Sequence, residues 1–346
     1  MQSDLFLLPF LSAFLVTIAS GFVLLRIPFF RKQSWRNGER HTGKESVARL
    51  GGVAMCLAFI VAIILDPHLV LTHDTWGLIV GAIVACLFGL WDDFLELSFK
   101  AQAFLQVSLT TILFVFGLRI TTLKNPFGDA WMLPEQSPIA ILLGFVLLFG
   151  WLALVMNAVN WLDGLDGLLG GVSLVTFFVI FFLSLKPEVN QPPVALLSVI
   201  GAGLTLGFLV FNVHPAKLLA GTSGSMFIGL LITALAVIAG TKVATALLVL
   251  SLPIADALWV IGERLRSGES IFQPDQRHLH YKLRGLGWSE HQIAGLFFAL
   301  TACVGLIALN TEALGKLIAF FLVFGIIFSV LFFVAHTLNK KHHRIV

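Results

Sequence analysis

The chain has 346 residues, of which 58% are hydrophobic and only 12% are charged. A soluble domain carries about 25% charged residues, so this composition excludes a soluble globular protein. The net charge of +3 is small, and the distribution of the charges along the chain is more informative than their sum.

Eleven apolar segments have about the length needed to cross a bilayer as helices, roughly 17–25 residues each. Hydrocarbon offers backbone groups no partner outside a helix, so the segments predict an all-α integral membrane protein with about 10–11 transmembrane helices. With no long linker between them, we predict a single transmembrane domain over residues 1–346. The segments are residues 4–26, 49–66, 74–91, 101–118, 138–158, 167–185, 193–211, 225–240, 243–261, 292–309 and 313–336.

The basic residues predict the orientation in the membrane. If the odd-numbered connections face the cytoplasm, they and the C-terminal tail hold 17 of the 22 Lys and Arg residues. The positive-inside rule then puts the N-terminus outside and the C-terminus in the cytoplasm. The one long connection on the predicted outer side, residues 119–137, contains a Pro-Phe-Gly-Asp sequence that indicates a small hairpin.

The first connection is strongly basic. Residues 36–52 read RNGERHTGKESVARLGG, with Lys44 and Arg49 ahead of the second span. The positive-inside rule explains much of this positive charge, but it does not explain why Arg49 stands just before a glycine pair at a predicted helix start. Lys44 and Arg49 are therefore candidate residues for binding an anionic substrate.

Two adjacent carboxylates end the third span. Residues 91–100 read WDDFLELSFK, in which Asp92 and Asp93 precede Lys100. Carboxylates suit a divalent cation and lysine suits a phosphate, so the segment predicts a catalytic metal or phosphate site. An ordinary acidic helix end explains the same residues, and the segment by itself does not separate the two.

The segment 157–171, NAVNWLDGLDGLLGG, is the most distinctive. Asn157, Asn160, Asp163 and Asp166 recur every three residues, so one helical face could present them together. Polar groups are costly at a membrane boundary, and glycines let a backbone approach a ligand closely. Helix capping and turn formation would explain one or two of these residues, so we interpret the set as part of a functional site.

Small residues precede the eighth span in the segment 212–225, NVHPAKLLAGTSGS, which includes Thr222. Such residues at a helix N-terminus can form an anion site through free backbone N–H groups and the helix dipole. A plain N-terminal cap explains them equally well, so both interpretations stay open.

The last polar segment, residues 274–288, reads PDQRHLHYKLRGLGW. Arg277 suits a phosphate, and His278 and His280 can donate hydrogen bonds to sugar or phosphate oxygens. A His-x-His pair also suggests zinc, but no cysteine or third ligand lies nearby in the sequence. A basic loop attracted to anionic lipid is the alternative.

Together these segments resemble the polyprenyl-phosphate N-acetylhexosamine-1-phosphate transferases. The stretches RHTGKESVARLGG, GLWDDFLELSFKAQ, NAVNWLDGLDGLLGG, NVHPAKLLAGTSGS and PDQRHLHYKL occur in the family's order and at its spacing. The His-Leu-His sequence after Pro274 and Asp275 is similar to the bacterial branch that places GlcNAc-1-phosphate on undecaprenyl phosphate.

The resemblance implies transfer of N-acetylhexosamine-1-phosphate from a UDP-sugar to polyprenyl phosphate, with release of UMP. It implies a cytoplasm-facing site in the inner (cytoplasmic) membrane, with Mg²⁺ as cofactor or Mn²⁺ as an alternative. The implied partners are the UDP-N-acetylhexosamine, the lipid phosphate and the bilayer, with no nucleic acid, and a homodimer stays open. Two polyanions must meet, so a cation and fixed basic groups are needed to offset their repulsion.

The resemblance also implies a role for each candidate residue. Asp92 or Asp93 would orient or deprotonate the lipid phosphate, and Lys100 would contact a phosphate. Asn160 would ligate Mg²⁺, with Asp163 supporting the metal shell. The other candidates would bind substrate: Asp166 the uracil, Arg277, His278 and His280 the pyrophosphate or the hexosamine, and Asn157, Lys44 and Arg49 further parts of the substrates.

One position departs from the family pattern. The family's fourth motif is Gly-Asp-x-Gly-Ser, whose Asp is a Mg²⁺ ligand, and Thr222 stands at that Asp here. A neutral hydroxyl is a poorer ligand for a hard cation. The metal could be held by Asn160 with neighbouring carboxylates, the protein could turn over slowly, or Thr222 could be an introduced change that weakens catalysis. The first motif also lacks the family's usual prolines before Arg49.

Two other functions fit parts of this pattern. A transporter would have many spans and few charges, but its binding groups belong near the bilayer midplane, where Asp256 is the best candidate. The polar clusters gather at one predicted face instead. An inactive family member would bind the nucleotide without releasing UMP.

Overall fold

The computed structural model describes residues 2–27, 47–123, 125, 127–134, 137–240, 243–270 and 277–342. These residues are mostly helical, which confirms the predicted all-α integral membrane protein. The helices are α1 Gln2–Arg26, α2 Gly51–Leu65, α3 His73–Leu95, α4 Phe99–Val115, α5 Pro138–Leu162, α6 Leu168–Ser184, α7 Pro192–Asn212, α8 Gly221–Ile238, α9 Val243–Val249, α10 Ser251–Ser267, α11 Leu279–Gly285, α12 Glu290–Asn310 and α13 Ala313–His342.

Each predicted apolar segment coincides with a helix or a bent pair of helices. Seven helices are long and apolar enough to cross a membrane, and the pair α9–α10, bent by 73°, makes an eighth such segment. The apolar helices α2, α4 and α6 have only 15, 17 and 17 residues. At about 1.5 Å per residue, these three fall short of a hydrocarbon core of roughly 30 Å.

The outer connection forms the expected hairpin. Strand β1, Thr122–Leu123, pairs antiparallel with strand β2, Trp131–Met132, and Thr122 lies opposite Met132. The turn between the strands holds the glycine and aspartate that indicated it.

Helix α8 lies at the centre of the bundle and is buried along its whole length, whereas α13 is exposed along most of its surface. Helices α2, α3 and α5 pack against α8. A Cβ atom added at Gly52 would lie 2.2 Å from the Gly224 nitrogen, and one added at Gly89 would lie 2.4 Å from the Ser223 Cα atom. Only glycine permits this approach, so α2 and α3 reach the backbone of the first turn of α8.

The chain just before α2 also joins this centre. Ala48 and Leu218 form a parallel bridge, in which the Leu219 N–H donates to the Ala48 carbonyl at 2.9 Å. The Gly51 N–H donates to the Leu219 carbonyl at 2.9 Å. Arg49 is buried between these bonds, so the first and fourth motifs are neighbours in space.

Candidate active site

The first turn of α8 binds carboxylates from two other helices. The Gly221 N–H donates to Asp163 Oδ2 at 2.9 Å. Asp93 accepts from the Thr222 and Ser223 N–H groups at 2.9 and 3.1 Å. Gly221 has a φ of +70°, and a side chain there would collide with the Asp93 carboxylate. Carboxylates of the protein itself thus occupy this positive helix end, so these N–H groups are not available to an external anion.

Hydroxyl groups of the same turn bind two more polar side chains. The Thr222 hydroxyl donates to Asp92 Oδ2 at 2.7 Å, and the Ser225 hydroxyl donates to Asn160 Oδ1 at 2.8 Å. Asp92 Oδ1 also accepts from the Leu97 N–H at 3.0 Å. We call Asp92, Asp93, Asn160 and Asp163, gathered around this turn, the carboxylate cluster. Their convergence is the arrangement that the sequence led us to expect.

The expected single helical face over residues 157–166 is wrong. Helix α5 ends at Leu162, since Gly164 and then Gly167, with a φ of +75°, open a turn. Asp163 follows the helix end and Asp166 lies further along the turn, so the two carboxylates face different partners. Asn157 donates to the Ala153 carbonyl of its own helix at 2.7 Å and does not join the cluster through this amide.

Asp166 belongs to a second polar group, which sequence reasoning missed. Its Oδ2 atom lies 2.8 Å from His214 Nδ1 and accepts from the Ala216 N–H at 3.1 Å. The Asp166 N–H donates to Glu290 Oε2 at 3.3 Å, and His214 Nδ1 lies 3.4 Å from the same oxygen. We call Asp166, His214 and Glu290 the base clamp. Asp166 was itself a candidate from the sequence, whereas His214 was only an unassigned histidine inside a motif.

A third group surrounds the His-x-His pair, and we call Asp256, Trp161, His278 and His280 the histidine cluster. His278 Nδ1 lies 2.9 Å from Asp256 Oδ2, and the Leu279 N–H donates to Asp256 Oδ1 at 2.7 Å. The His278 ring lies between Trp161 and His280, with centroid distances of 5.4 and 5.7 Å. Asp256, the transporter candidate, thus holds the histidine loop against the residue next to Asn160.

His280 is almost fully buried, and burial lowers its pKa from 6.5 to about 3. Neither ring nitrogen has a hydrogen-bond partner among the described residues. A Cβ atom added at Gly164 would lie 2.6 Å from His280 Nε2, so the ring lies against the turn between Asp163 and Asp166. A buried ring without partners at this place is a group that a ligand could satisfy.

Two of the basic candidates, Arg277 and Lys100, are close in the chain to residues of these clusters. Arg277 forms a bidentate ion pair with Glu269 at 2.7 and 2.8 Å, one residue before His278. Lys100 is exposed on the first turn of α4, two residues from Gln102, whose amide donates to Asp92 Oδ1 at 3.3 Å. Lys44 lies outside the described residues.

Two sets of side chains could hold a cation. The carboxylate cluster and Thr222 offer only oxygen atoms, which is the donor set that Mg²⁺ prefers. The base clamp offers one nitrogen and two carboxylate oxygens that all lie within 4.8 Å of one another. Imidazole suits zinc or another transition metal better than Mg²⁺. By donor type the carboxylate cluster suits a hard cation, whereas the three ligand atoms found close together among the described residues are those of the base clamp.

Comparison with known proteins identifies the family of this chain. Residues 75–240, which include most of the carboxylate cluster's contacts, match the glycosyl transferase family 4. The chain is 31% identical to a decaprenyl-phosphate N-acetylglucosaminephosphotransferase of Mycobacterium leprae, over 79% of this chain and 75% of that protein. It is 27% identical to a probable undecaprenyl-phosphate N-acetylglucosaminyl 1-phosphate transferase of Bacillus subtilis, over 84% of both. A phospho-N-acetylmuramoyl-pentapeptide-transferase of a Geobacillus species is 29% identical over 90% of this chain and 99% of its own.

Proposed function

The chain belongs to the polyprenyl-phosphate N-acetylhexosamine-1-phosphate transferases, and we propose that it transfers GlcNAc-1-phosphate from UDP-GlcNAc to a polyprenyl phosphate. UMP is the second product. The relatives that are named for transfer of N-acetylglucosamine phosphate support this donor over the MurNAc-pentapeptide donor. Such a transfer would be the first membrane step in building a surface glycan or cell-wall polymer, at the cytoplasmic face of the cell membrane.

The observation that carries this proposal is the meeting of two separate chain segments at the N-terminal end of α8. Asp92 lies near the end of α3, Asn160 and Asp163 lie at the end of α5, and all three contact the first turn of α8. Ionisable side chains at the ends of apolar helices in a membrane protein commonly mark a cation or substrate site. Phosphoryl transfer between two polyanions is a reaction that uses them.

In this reaction, an oxygen of the lipid phosphate attacks the β-phosphorus of the UDP-sugar and displaces UMP. A phosphate monoester has its second pKa near 6, so this nucleophile is mostly ionised at neutral pH and needs positioning more than deprotonation. Asp92, fixed by Thr222, Leu97 and Gln102, is the residue we assign to orient it. Lys100 and Arg277 would contact phosphate oxygens.

We assign Mg²⁺ to the carboxylate cluster, with Asn160, Asp92 and Thr222 as the residues that would hold it. When bound, the cation would offset the repulsion between the two polyanions. Because Thr222 contributes a neutral hydroxyl, the protein's own negative charge at the metal is smaller than an aspartate would give. We therefore expect a weaker apparent affinity for Mg²⁺ than the family pattern would provide.

The test is UMP release by purified protein in detergent, given UDP-GlcNAc, undecaprenyl phosphate and Mg²⁺. We expect release that requires all three additions and that is lost in Asp92→Asn, with the exposed hairpin variant Asp129→Asn as the matched control. A transporter would release no UMP. An inactive member would bind UDP-GlcNAc, seen as a raised thermal midpoint, without releasing UMP. Replacing the donor with other UDP-sugars tests the assignment of GlcNAc.

A further inference from the structure

The base clamp joins three connections that are far apart in the sequence. Asp166 lies in the turn after α5, His214 follows α7, and Glu290 is the first residue of α12. Asp166 is 2% exposed, and the side chain of Glu290 is 10% exposed. The proposed mechanism gives none of these three residues a role, although the family resemblance implies that Asp166 contacts the uracil.

The chemistry of the clamp fixes the position of the proton on His214. Both acceptors near Nδ1 are carboxylate oxygens, so Nδ1 carries the hydrogen and donates. The Ala216 N–H supplies a second donor to the same Asp166 oxygen at 3.1 Å. Because a carboxylate is planar, two donors on Oδ2 fix the direction in which Oδ1 points.

The backbone beneath Asp166 is held by the same segments. The Asp166 N–H donates to Glu290, and the Gly167 N–H donates to Asn212 Oδ1 at 2.9 Å. Asn212 in turn donates to the Leu218 carbonyl at 3.0 Å. Both the carboxylate and its peptide are thus tied to the ends of α7 and α12, which is how a recognition group is held in a fixed orientation.

We propose that His214 and Glu290 are positioning residues that orient Asp166 for recognition of the uracil base of the donor nucleotide. This inference rests on the proposed function and on the role that the family resemblance implies for Asp166, which is contact with the uracil. Uracil presents an N–H donor at N3, whereas cytosine presents an acceptor there. A carboxylate in a fixed orientation therefore favours uracil over cytosine, and a carboxylate free to rotate discriminates less.

The test compares inhibition by UMP and by CMP in the wild type and in variants of His214. His214→Asn can place its amide N–H near the position of Nδ1, so it should retain the ratio of the two inhibition constants. His214→Leu has no donor and should lower that ratio by about 10-fold or more, the usual range for loss of a supporting hydrogen bond. Glu290→Gln keeps an acceptor for the Asp166 N–H and should have the smaller effect.

His291 provides the matched control, since its ring meets that of His214 edge-on at a centroid distance of 5.2 Å. His291→Asn should keep the wild-type ratio. If His214→Leu lowers the thermal midpoint but leaves the ratio unchanged, the clamp is purely structural and the inference is wrong. If the wild type releases no UMP from any UDP-sugar, the proposed function fails instead. If a Zn²⁺ chelator added to the wild type lowers the ratio, the base clamp holds a metal ion, and this result would also overturn the inference.

Discussion

The carboxylate cluster and the histidine cluster adjoin each other, yet their polar groups are satisfied in opposite ways. In the carboxylate cluster, backbone N–H groups and hydroxyls of α8 bind Asp92, Asp93 and Asp163. In the histidine cluster, Asp256 binds one histidine, while the ring nitrogens of His280 have no partner among the described residues. The carboxylate cluster is thus held by protein donors without a ligand. The histidine cluster has two ring nitrogens, those of His280, that a ligand could bind.

This difference predicts that the two clusters have different roles. Carboxylates at a helix N-terminus are stabilised by its backbone N–H groups and by the helix dipole, and they are suited to binding a cation. A buried imidazole has lost its hydrogen bonds to water, and a polar ligand can replace them. We therefore expect the carboxylate cluster to control stability and cation binding, and the histidine cluster to act mainly on the bound substrate.

The largest effect is expected from Asp93→Asn. The amide keeps one acceptor oxygen but turns an NH₂ group towards one of the two backbone donors that Asp93 now binds. Hydrogen bonds to charged groups contribute about 1.5–3 kcal/mol each, so the thermal midpoint should fall and UMP release should drop at least about 100-fold. Wild-type values for both quantities would contradict the central role of this carboxylate. Asp129→Asn is again the control.

The next largest effect is an increase in UMP release, expected from Thr222→Asp. In Thr222→Asp, a second carboxylate would replace the hydroxyl that donates to Asp92 at 2.7 Å. Without Mg²⁺ the two charges repel each other, so the thermal midpoint should fall; with Mg²⁺ it should rise, and UMP release should increase about 10-fold. Thr222→Ser, which keeps the hydroxyl, should behave as the wild type. If the Mg²⁺ dependence and UMP release of Thr222→Asp are unchanged, the metal is held elsewhere.

The carboxylate cluster was largely predictable from the sequence, whereas the other groups were not. Asp92, Asp93, Asn160 and Asp163 stand out because charge and amides are rare at the end of an apolar run. Hydropathy also located the long apolar helices of the described residues, because burial in hydrocarbon permits little else. It could not show that α5 ends at Leu162, which depends on local turn geometry.

The base clamp and the Asp256 pairing were missed for a different reason. Asp166, His278 and Asp256 stood out in the sequence, but which residues they pair with did not, because only packing of α7, α10 and α12 makes the partners neighbours. Asp256 even suggested the wrong function, because a carboxylate inside an apolar segment resembles a transport site until its partner is known. Long-range pairing of single residues leaves no periodic pattern along the chain.

A smaller effect is expected from Asp256→Asn. The amide can still accept from the Leu279 N–H, but it no longer offers a charged acceptor to His278 Nδ1. His278 should then sample other orientations, and kcat/KM for UDP-GlcNAc should fall about 10-fold, as for other supporting carboxylates. Asp256→Asn and His278→Asn should together cost little more than either alone. Additive losses would show that Asp256 acts independently of His278.

The control for Asp256 lies two turns further along the same helix. Glu263 binds Lys282 at 3.0 Å and also accepts from the Trp259 indole N–H at 2.8 Å. Glu263→Gln removes a carboxylate from α10 but leaves Asp256 and His278 in place. It should therefore reduce the thermal midpoint slightly and leave kcat/KM for UDP-GlcNAc close to the wild-type value.

The smallest effect concerns stability alone and follows from the low pKa of His280. Burial favours the neutral ring in the folded state, with a pKa of about 3 against 6.5 for an ordinary histidine. Between these values the unfolded chain binds more protons, so this residue makes the fold less stable as the pH falls below 6.5. Going from pH 8 to pH 6 should cost about 1 kcal/mol through His280. His280→Gln cannot titrate, so its thermal midpoint should fall less over this range than that of the wild type. Equal slopes would mean that a partner satisfies the imidazole in solution, and the histidine cluster would then be as fully bonded as the carboxylate cluster.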